Sequence, residues 1–141
     1  MHANADTPFT VVPIGYVESR LRERSEAPRQ GDEGAPDAWL VFEPAVAAGL
    51  ADLRAGDEVI LLSWLHQADR TVLSVHPRSD PERRLTGVFS TRSPDRPNPI
   101  GLHRVRVLAV EGLRAHVAGL EAIDGTPIID VKPVLGRDAT R

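Results

Sequence analysis

Apolar residues fall along this chain in short runs soon closed by Gly, Pro or Asp, and no run sustains the recurrence of a long amphipathic helix. Residues 11–17 are apolar and largely β-branched apart from Pro13 and Gly15. They predict an opening strand, placed at a sheet edge because a proline has no N–H to give to a ladder. Residues 39–42 form a second apolar run, and 44–53 predict one or two helical turns. Ala55, Gly56 and Asp57 then make a turn into a buried strand at 59–65. Further strands are predicted at 71–75, 87–90, 102–110, 114–120 and 128–131, with Glu111 and Gly112 as a tight hairpin between 102–110 and 114–120.

One stretch breaks this pattern. Residues 18–37 mix Arg, Glu, Pro, Gly and Ser without an apolar period, and read as a long exposed loop of the kind that orders around a ligand. Many short strands with almost no helix predict an all-β domain, a compact barrel or sandwich. There is no internal repeat and no Gly-rich loop of the Walker or dinucleotide-binding type, which disfavours the common nucleotide-binding α/β folds.

At 141 residues with 41% apolar side chains, the chain suffices for one domain with its own core, taken here as residues 1–141 with the core at 11–133 and a tail at 134–141. The absence of cysteine excludes disulfides, cysteine-based zinc or iron–sulfur sites and a thiol nucleophile. No apolar run approaches the roughly 20 residues that cross a bilayer, and the first ten residues lack the order of a secretory signal. The expectation is a soluble protein of the cytoplasm with no membrane partner. Its net charge of −3 argues against a uniformly basic coat for nucleic acid. Charge is nevertheless uneven: residues 78–106 carry seven basic groups against three acids, all seven of them arginines, whereas 1–77 carry 6 basic and 12 acidic groups. Arginine's planar fork suits phosphate and carboxylate.

Within the basic stretch, residues 90–101 read STRSPDRPNPIG. Pro94, Pro97 and Pro99 fix φ at three positions and restrict Ser93, Arg96 and Asn98 before them, so this segment is rigid before any ligand arrives. On its residues alone it is either a stiff cap on one end of a barrel or a binding loop presenting Arg92, Arg96 and Asn98. Residues 124–133, DGTPIIDVKP, predict a turn at Asp124 and Gly125 and then a strand exposing Asp130 and Lys132, which as an ordinary hairpin would simply pair with each other. His66 closes the buried-looking run ILLSWLH, and His76 precedes Pro77. No histidines have metal-ligand spacing and no nucleophile-elbow GxSxG occurs, so neither a metal nor a serine triad is assigned.

Two blocks make the chain recognisable. Residues 87–102 read GVFSTRSPDRPNPIGL, close to GVFATRSPxRPNPIGL, and residues 119–133 read GLEAIDGTPIIDVKP. With Pro28, Arg29 and Gln30 in the long loop and Ile14 and Gly15 in the opening strand, these blocks resemble the TsaA-like family of S-adenosylmethionine-dependent tRNA methyltransferases over residues 11–133. The resemblance implies a compact β-barrel of short, mostly antiparallel strands that works as a homodimer, with the cofactor near the subunit junction. It implies methylation of threonylcarbamoyladenosine, beside the tRNA anticodon, on its exocyclic nitrogen. Carried over residue by residue, the S-adenosylmethionine contacts are Pro28, Arg29, Gln30, Leu65, His66, Arg92, Leu102, Ile123, Asp124 and Gly125. Asp124 and His66 are the candidates for a catalytic base. Arg83, Arg84, Arg96, Asn98 and Lys132 are assigned to the anticodon loop of tRNA.

The chain also departs from the family. Residues 56–66 read GDEVILLSWLH where relatives carry the aromatic-rich FSHLWVLFWFH, Val134 replaces an aromatic, and an additional C-terminal domain is not expected. These departures keep two alternatives in view: a non-catalytic S-adenosylmethionine-binding regulatory module, or a methyltransferase for a different nucleotide-like substrate.

Overall fold

The computed structural model describes residues 7–24, 27 and 34–136. Eight strands form: β1 (Gly15–Glu18), β2 (Ala38–Phe42), β3 (Glu58–Trp64), β4 (Ser74–Val75), β5 (Thr86–Gly87), β6 (Ile100–Glu111), β7 (Arg114–Val117) and β8 (Pro127–Pro133). Six of them close into an antiparallel barrel in the order β1-β2-β7-β6-β3-β8, with β8 returning to pair with β1. The predicted all-β barrel is thus the observed one. Helix is confined to short 3-10 turns at Pro44–Leu50, Pro77–Ser79 and Val88–Ser90 among the described residues.

Strict alternation makes the barrel. Every second residue of β2, β3 and β6 points inward, and Leu40, Phe42, Val59, Leu61, Val105 and Val107 meet Ala115, Val117, Val17 and Ile128 in one core. Two register shifts, between Leu62 and Ser63 on the β3–β8 pair and between Val107 and Ala109 on the β6–β7 pair, add local twist of the kind a short-stranded barrel needs to close.

Several predicted elements differ from those observed. The opening strand, Gly15–Glu18, starts later than expected because Val11 and Val12 are exposed and backbone hydrogen bonds to its neighbours begin only at Ile14. It is also not an edge: β1 pairs with both β2 and β8, and Pro13 lies ahead of the ladder, where its missing N–H costs nothing. The strands expected at 71–75 and 87–90 shrink to β4 and β5, which pair with each other outside the barrel. The loop expected to be exposed at 18–37 starts with a strand residue and buries Ser19 and Leu21.

Antiparallel pairing decides which segments become neighbours. The end of β3 lies beside the start of β6 (Trp64 opposite Ile100) and the start of β8 (Ser63 opposite Ile128), and the end of β1 lies beside that same start of β8. The chain following β1, the residues following β3, the proline segment entering β6 and the turn entering β8 therefore all emerge at one end of the barrel. Leu61, with none of its surface exposed, sits in the middle of that framework. Leu61→Ala is expected to destabilise the fold by about 2–5 kcal/mol through lost burial and a residual cavity, read as a lower urea midpoint with an unchanged slope.

Candidate functional site

The proline segment is braced from inside. Arg96 donates from Nε to the Ser93 carbonyl (2.6 Å) and from Nη2 to the carbonyls of Val88 (2.7 Å) and Thr91 (2.5 Å). Pro99 is fully buried, and its carbonyl accepts the Leu65 N–H at 2.8 Å, which ties the segment to the end of β3. Arg70 adds an outer clamp: Nε donates to the Pro97 carbonyl (2.7 Å), Nη2 to Asn98 Oδ1 (3.1 Å), and the guanidinium lies over the Trp64 ring at 5.1 Å. Asp95 Oδ1 accepts the Asp69 N–H at 2.8 Å. Asp69 in turn accepts from the Thr71 N–H and hydroxyl, and those bonds hold its carboxyl below the usual range. The support it gives the 69–71 turn is complete above the carboxyl's ordinary pKa and is lost as pH falls through the lowered one.

Arg92 and Arg96, indistinguishable in the sequence, have different jobs here. Three carbonyls hold Arg96 within the loop, so the structure turns this tRNA candidate into a brace. Arg92 is exposed and has no hydrogen-bond or ion-pair partner among the described residues, which leaves its guanidinium available to a ligand.

The Asp124 corner is a second fixed point. Gly125 adopts φ 82° and donates to the Val17 carbonyl (2.7 Å), while Asp124 donates its N–H to the Leu21 carbonyl (2.7 Å). The Asp124 carboxylate accepts the Ser19 N–H at 3.0 Å and faces Arg22 Nη1 at 3.6 Å. Both oxygens thus hold the chain that follows β1. Buried Ile123 and Thr126, whose hydroxyl donates to the Ile123 carbonyl at 2.7 Å, complete the corner.

Arg24 joins the two fixed points. Its Nη1 donates to the Gln67 carbonyl (3.1 Å) and its Nη2 pairs with Asp95 Oδ1 (3.2 Å), so the chain pinned at Asp124 reaches the turn after β3 and the proline segment. Pro28, Arg29 and Gln30, which follow, lie outside the described residues. His66, on the turn after β3, is exposed and has no partner among the described residues, and Leu65 beside it is half-buried. Leu102 is exposed on the outer face of β6. The structure therefore brings the carried-over cofactor residues that it describes to one barrel end.

The tRNA candidates are more scattered. Arg83 and Arg84 lie on the connection between β4 and β5, whose far side runs directly into the proline segment. Asn98 is exposed, with its carbonyl oxygen on Arg70. Lys132 lies five residues beyond Pro127 on β8, roughly 17 Å along the strand, and pairs with Asp130 at 3.1 Å. The expected ion pair is thus present, but the strand is not part of a hairpin, since β8 pairs with β1 and β3 rather than with β7.

Arg24, Arg70 and Asp95 carry much of this architecture and were not singled out in the sequence. All three act across gaps of 26 to 71 residues, where no spacing rule applies. A concavity of about 320 Å³ adjoins Asp124 and Gly125, beside Tyr16, Glu18, Phe42 and Glu43. A larger one of about 460 Å³ opens at the other barrel end, among Phe42, Leu50, Asp52, Asp57, Glu58 and Asp130. Among the described residues no group of three or more His, Asp or Glu side chains is arranged to hold a metal ion, and no helix is long and apolar enough to cross a membrane.

The sequence matches the model of the tRNA-methyltransferase O N-terminal domain over residues 16–138. It is 40% identical over 129 residues to a "Probable S-adenosyl-L-methionine-binding protein" of Methanothermobacter thermautotrophicus, covering 92% of each chain. It is 42% identical over 120 residues to an S-adenosyl-L-methionine-binding protein of Archaeoglobus fulgidus, covering 85% of each. The fold is similar to the crystal structure of TrmO from Pseudomonas aeruginosa, with a TM-score of 0.73 and 32% identity over 95% of this chain, which spans 61% of that one. The braced proline segment and the Asp124 corner fall within the matched residues, and the chain belongs to the tRNA-methyltransferase O N-terminal domain family.

Proposed function

We propose that this chain binds S-adenosylmethionine at the barrel end where the proline segment, the turn after β3 and the Asp124 corner meet, and that it methylates tRNA there. The finer reading is methylation of the exocyclic nitrogen of threonylcarbamoyladenosine beside the anticodon, by a cytoplasmic homodimer. One observation carries this reading: segments far apart in sequence, each holding residues of the family signature, are hydrogen-bonded to one another at a single end of the barrel.

The residues present fit such a cofactor. An exposed arginine without an internal partner among the described residues suits its carboxylate, and half-buried Leu65 supplies apolar surface. When bound, S-adenosylmethionine supplies a methyl group on a sulfonium, a leaving group already activated. The chain's own task is then mainly alignment, and a scaffold stiffened by prolines and by Arg96 loses little freedom when a ligand arrives. An acylated adenine nitrogen is more acidic than a free one, so a base at that nitrogen assists by taking its proton. Of the two candidates, His66 is exposed without a described partner, whereas Asp124 holds the chain after β1 with both oxygens. His66 is therefore the better placed acceptor and Asp124 the positioning group. The arginines of the β4–β5 connection supply phosphate contacts.

A second reading, a cofactor-binding module without methyl transfer, is favoured by the outward face of β3. Ile60 stands there where the family string carries Trp, while Leu62 and Trp64 match it, leaving less stacking surface for a target base.

Three measurements separate these readings. Arg92→Ala is expected to leave the fold intact and weaken S-adenosylmethionine binding by roughly ten- to a hundredfold, the scale of one charged hydrogen bond; unchanged affinity by calorimetry would reject the assignment. Arg83→Glu combined with Arg84→Glu should weaken tRNA binding at low salt and flatten its salt dependence, while cofactor affinity stays constant. Incubation with S-adenosylmethionine and tRNA from a strain lacking this gene, followed by nucleoside mass spectrometry, should show methylated threonylcarbamoyladenosine. A different methylated nucleoside would redirect the substrate, and none at all would favour the binding module.

A further inference from the structure

Alternation along β6 carries one histidine into the barrel. His103 follows Gly101 and precedes Val105 on the inner face, with 6% of its surface exposed. Its Nε2 lies 2.7 Å from Ser63 Oγ on β3, and its Nδ1 faces Glu121 Oε1 in the segment that leads to the Asp124 corner. A carboxylate on Nδ1 favours the tautomer that donates from Nδ1, and Nε2 then accepts the Ser63 hydroxyl proton. The order Ser, His, Glu resembles a hydrolytic triad, but Ser63 has none of its surface exposed, so no substrate reaches its oxygen. The array does not act as a nucleophile. A buried polar chain of this kind fixes the elements that contribute to it, because any member left unpaired away from water loses its solvation without compensation.

Each member stands next to a carried-over cofactor contact. Ser63 is two residues before Leu65, His103 directly follows Leu102, and Glu121 is two residues before Ile123. The packing around the imidazole leaves no slack: a Cβ at Gly101 would overlap Ser63 Oγ and lie 2.7 Å from His103 Nε2. We propose that His103 is a positioning residue for S-adenosylmethionine binding, linking through Ser63 and Glu121 the end of β3, the exit of the proline segment and the approach to Asp124. This rests on the placement of the cofactor described above.

The links can be cut one at a time. His103→Asn keeps an amide near the Nδ1 position and so the Glu121 link, His103→Gln reaches the Nε2 position and keeps the Ser63 link, and His103→Leu keeps neither. Calorimetric affinity for S-adenosylmethionine should fall at least tenfold in the Leu variant and by less in the Asn and Gln variants. In the unaltered protein the imidazole Nδ1–H proton resonance should shift on saturation with S-adenosylmethionine, which a residue serving only to fill the core would not do. If the Leu variant does not fold, the Asn and Gln affinities and this resonance decide. Unchanged affinity in the variants that fold, or a resonance that does not move, would overturn the proposal. Arg92→Ala tells the two failures apart. If it loses binding while the His103 variants keep theirs, only the positioning role is rejected; if it too binds normally, the cofactor placement is rejected as well.

Discussion

The structure depends on closure of six short strands in strictly antiparallel order. Closure removes sheet edges from the barrel, satisfies the ladder of β1 on both sides, and encloses a core of mostly aliphatic residues. It also has a directional effect. Because β1 and β3 run toward the end from which β6 and β8 depart, four connections distant in sequence are compelled to share one rim. Nothing in the functional chemistry needs to bring them together, since the hydrogen-bond register already does.

Rim segments without regular structure would still be too loose to hold a small molecule, and here charged side chains supply the order. Arg96 fixes the proline segment from within, Arg70 clamps it to Trp64, Asp124 pins the chain after β1, and Arg24 reaches from that chain to Gln67 and Asp95. Individually such exposed contacts contribute little to global stability. Their importance is local, because each removes freedom from a backbone that would otherwise have to be ordered by the ligand.

Alternation made the barrel legible, since β2, β3 and β6 are half-buried strands whose inner positions are apolar except at Ser63 and His103, and the family blocks made the rim legible. The failures have physical causes. Burial of Ser19 and Leu21 depends on Asp124, 105 residues from Ser19, so local composition reads that stretch as exposed. Pro13 pointed to an edge, but a proline costs a ladder bond only where a ladder exists, and backbone pairing begins just after it, at Ile14. Arg92 and Arg96 look alike until the loop folds around one of them. His103 carried a usable signal: a histidine on the inward face of a period-two strand must find buried partners.

The bracing of the proline segment bears on how this rim can diversify. The carbonyls of Val88, Thr91 and Ser93 are turned onto Arg96, and Pro94, Pro97 and Pro99 fix φ at three positions, so the path of the segment is set from within. The outward side chains are mounted on a path that does not depend on their identity. Exchanging an outward residue such as Arg92 therefore alters the chemistry of the rim without redrawing its shape, and selectivity can drift between descendants of one barrel while the scaffold is inherited intact.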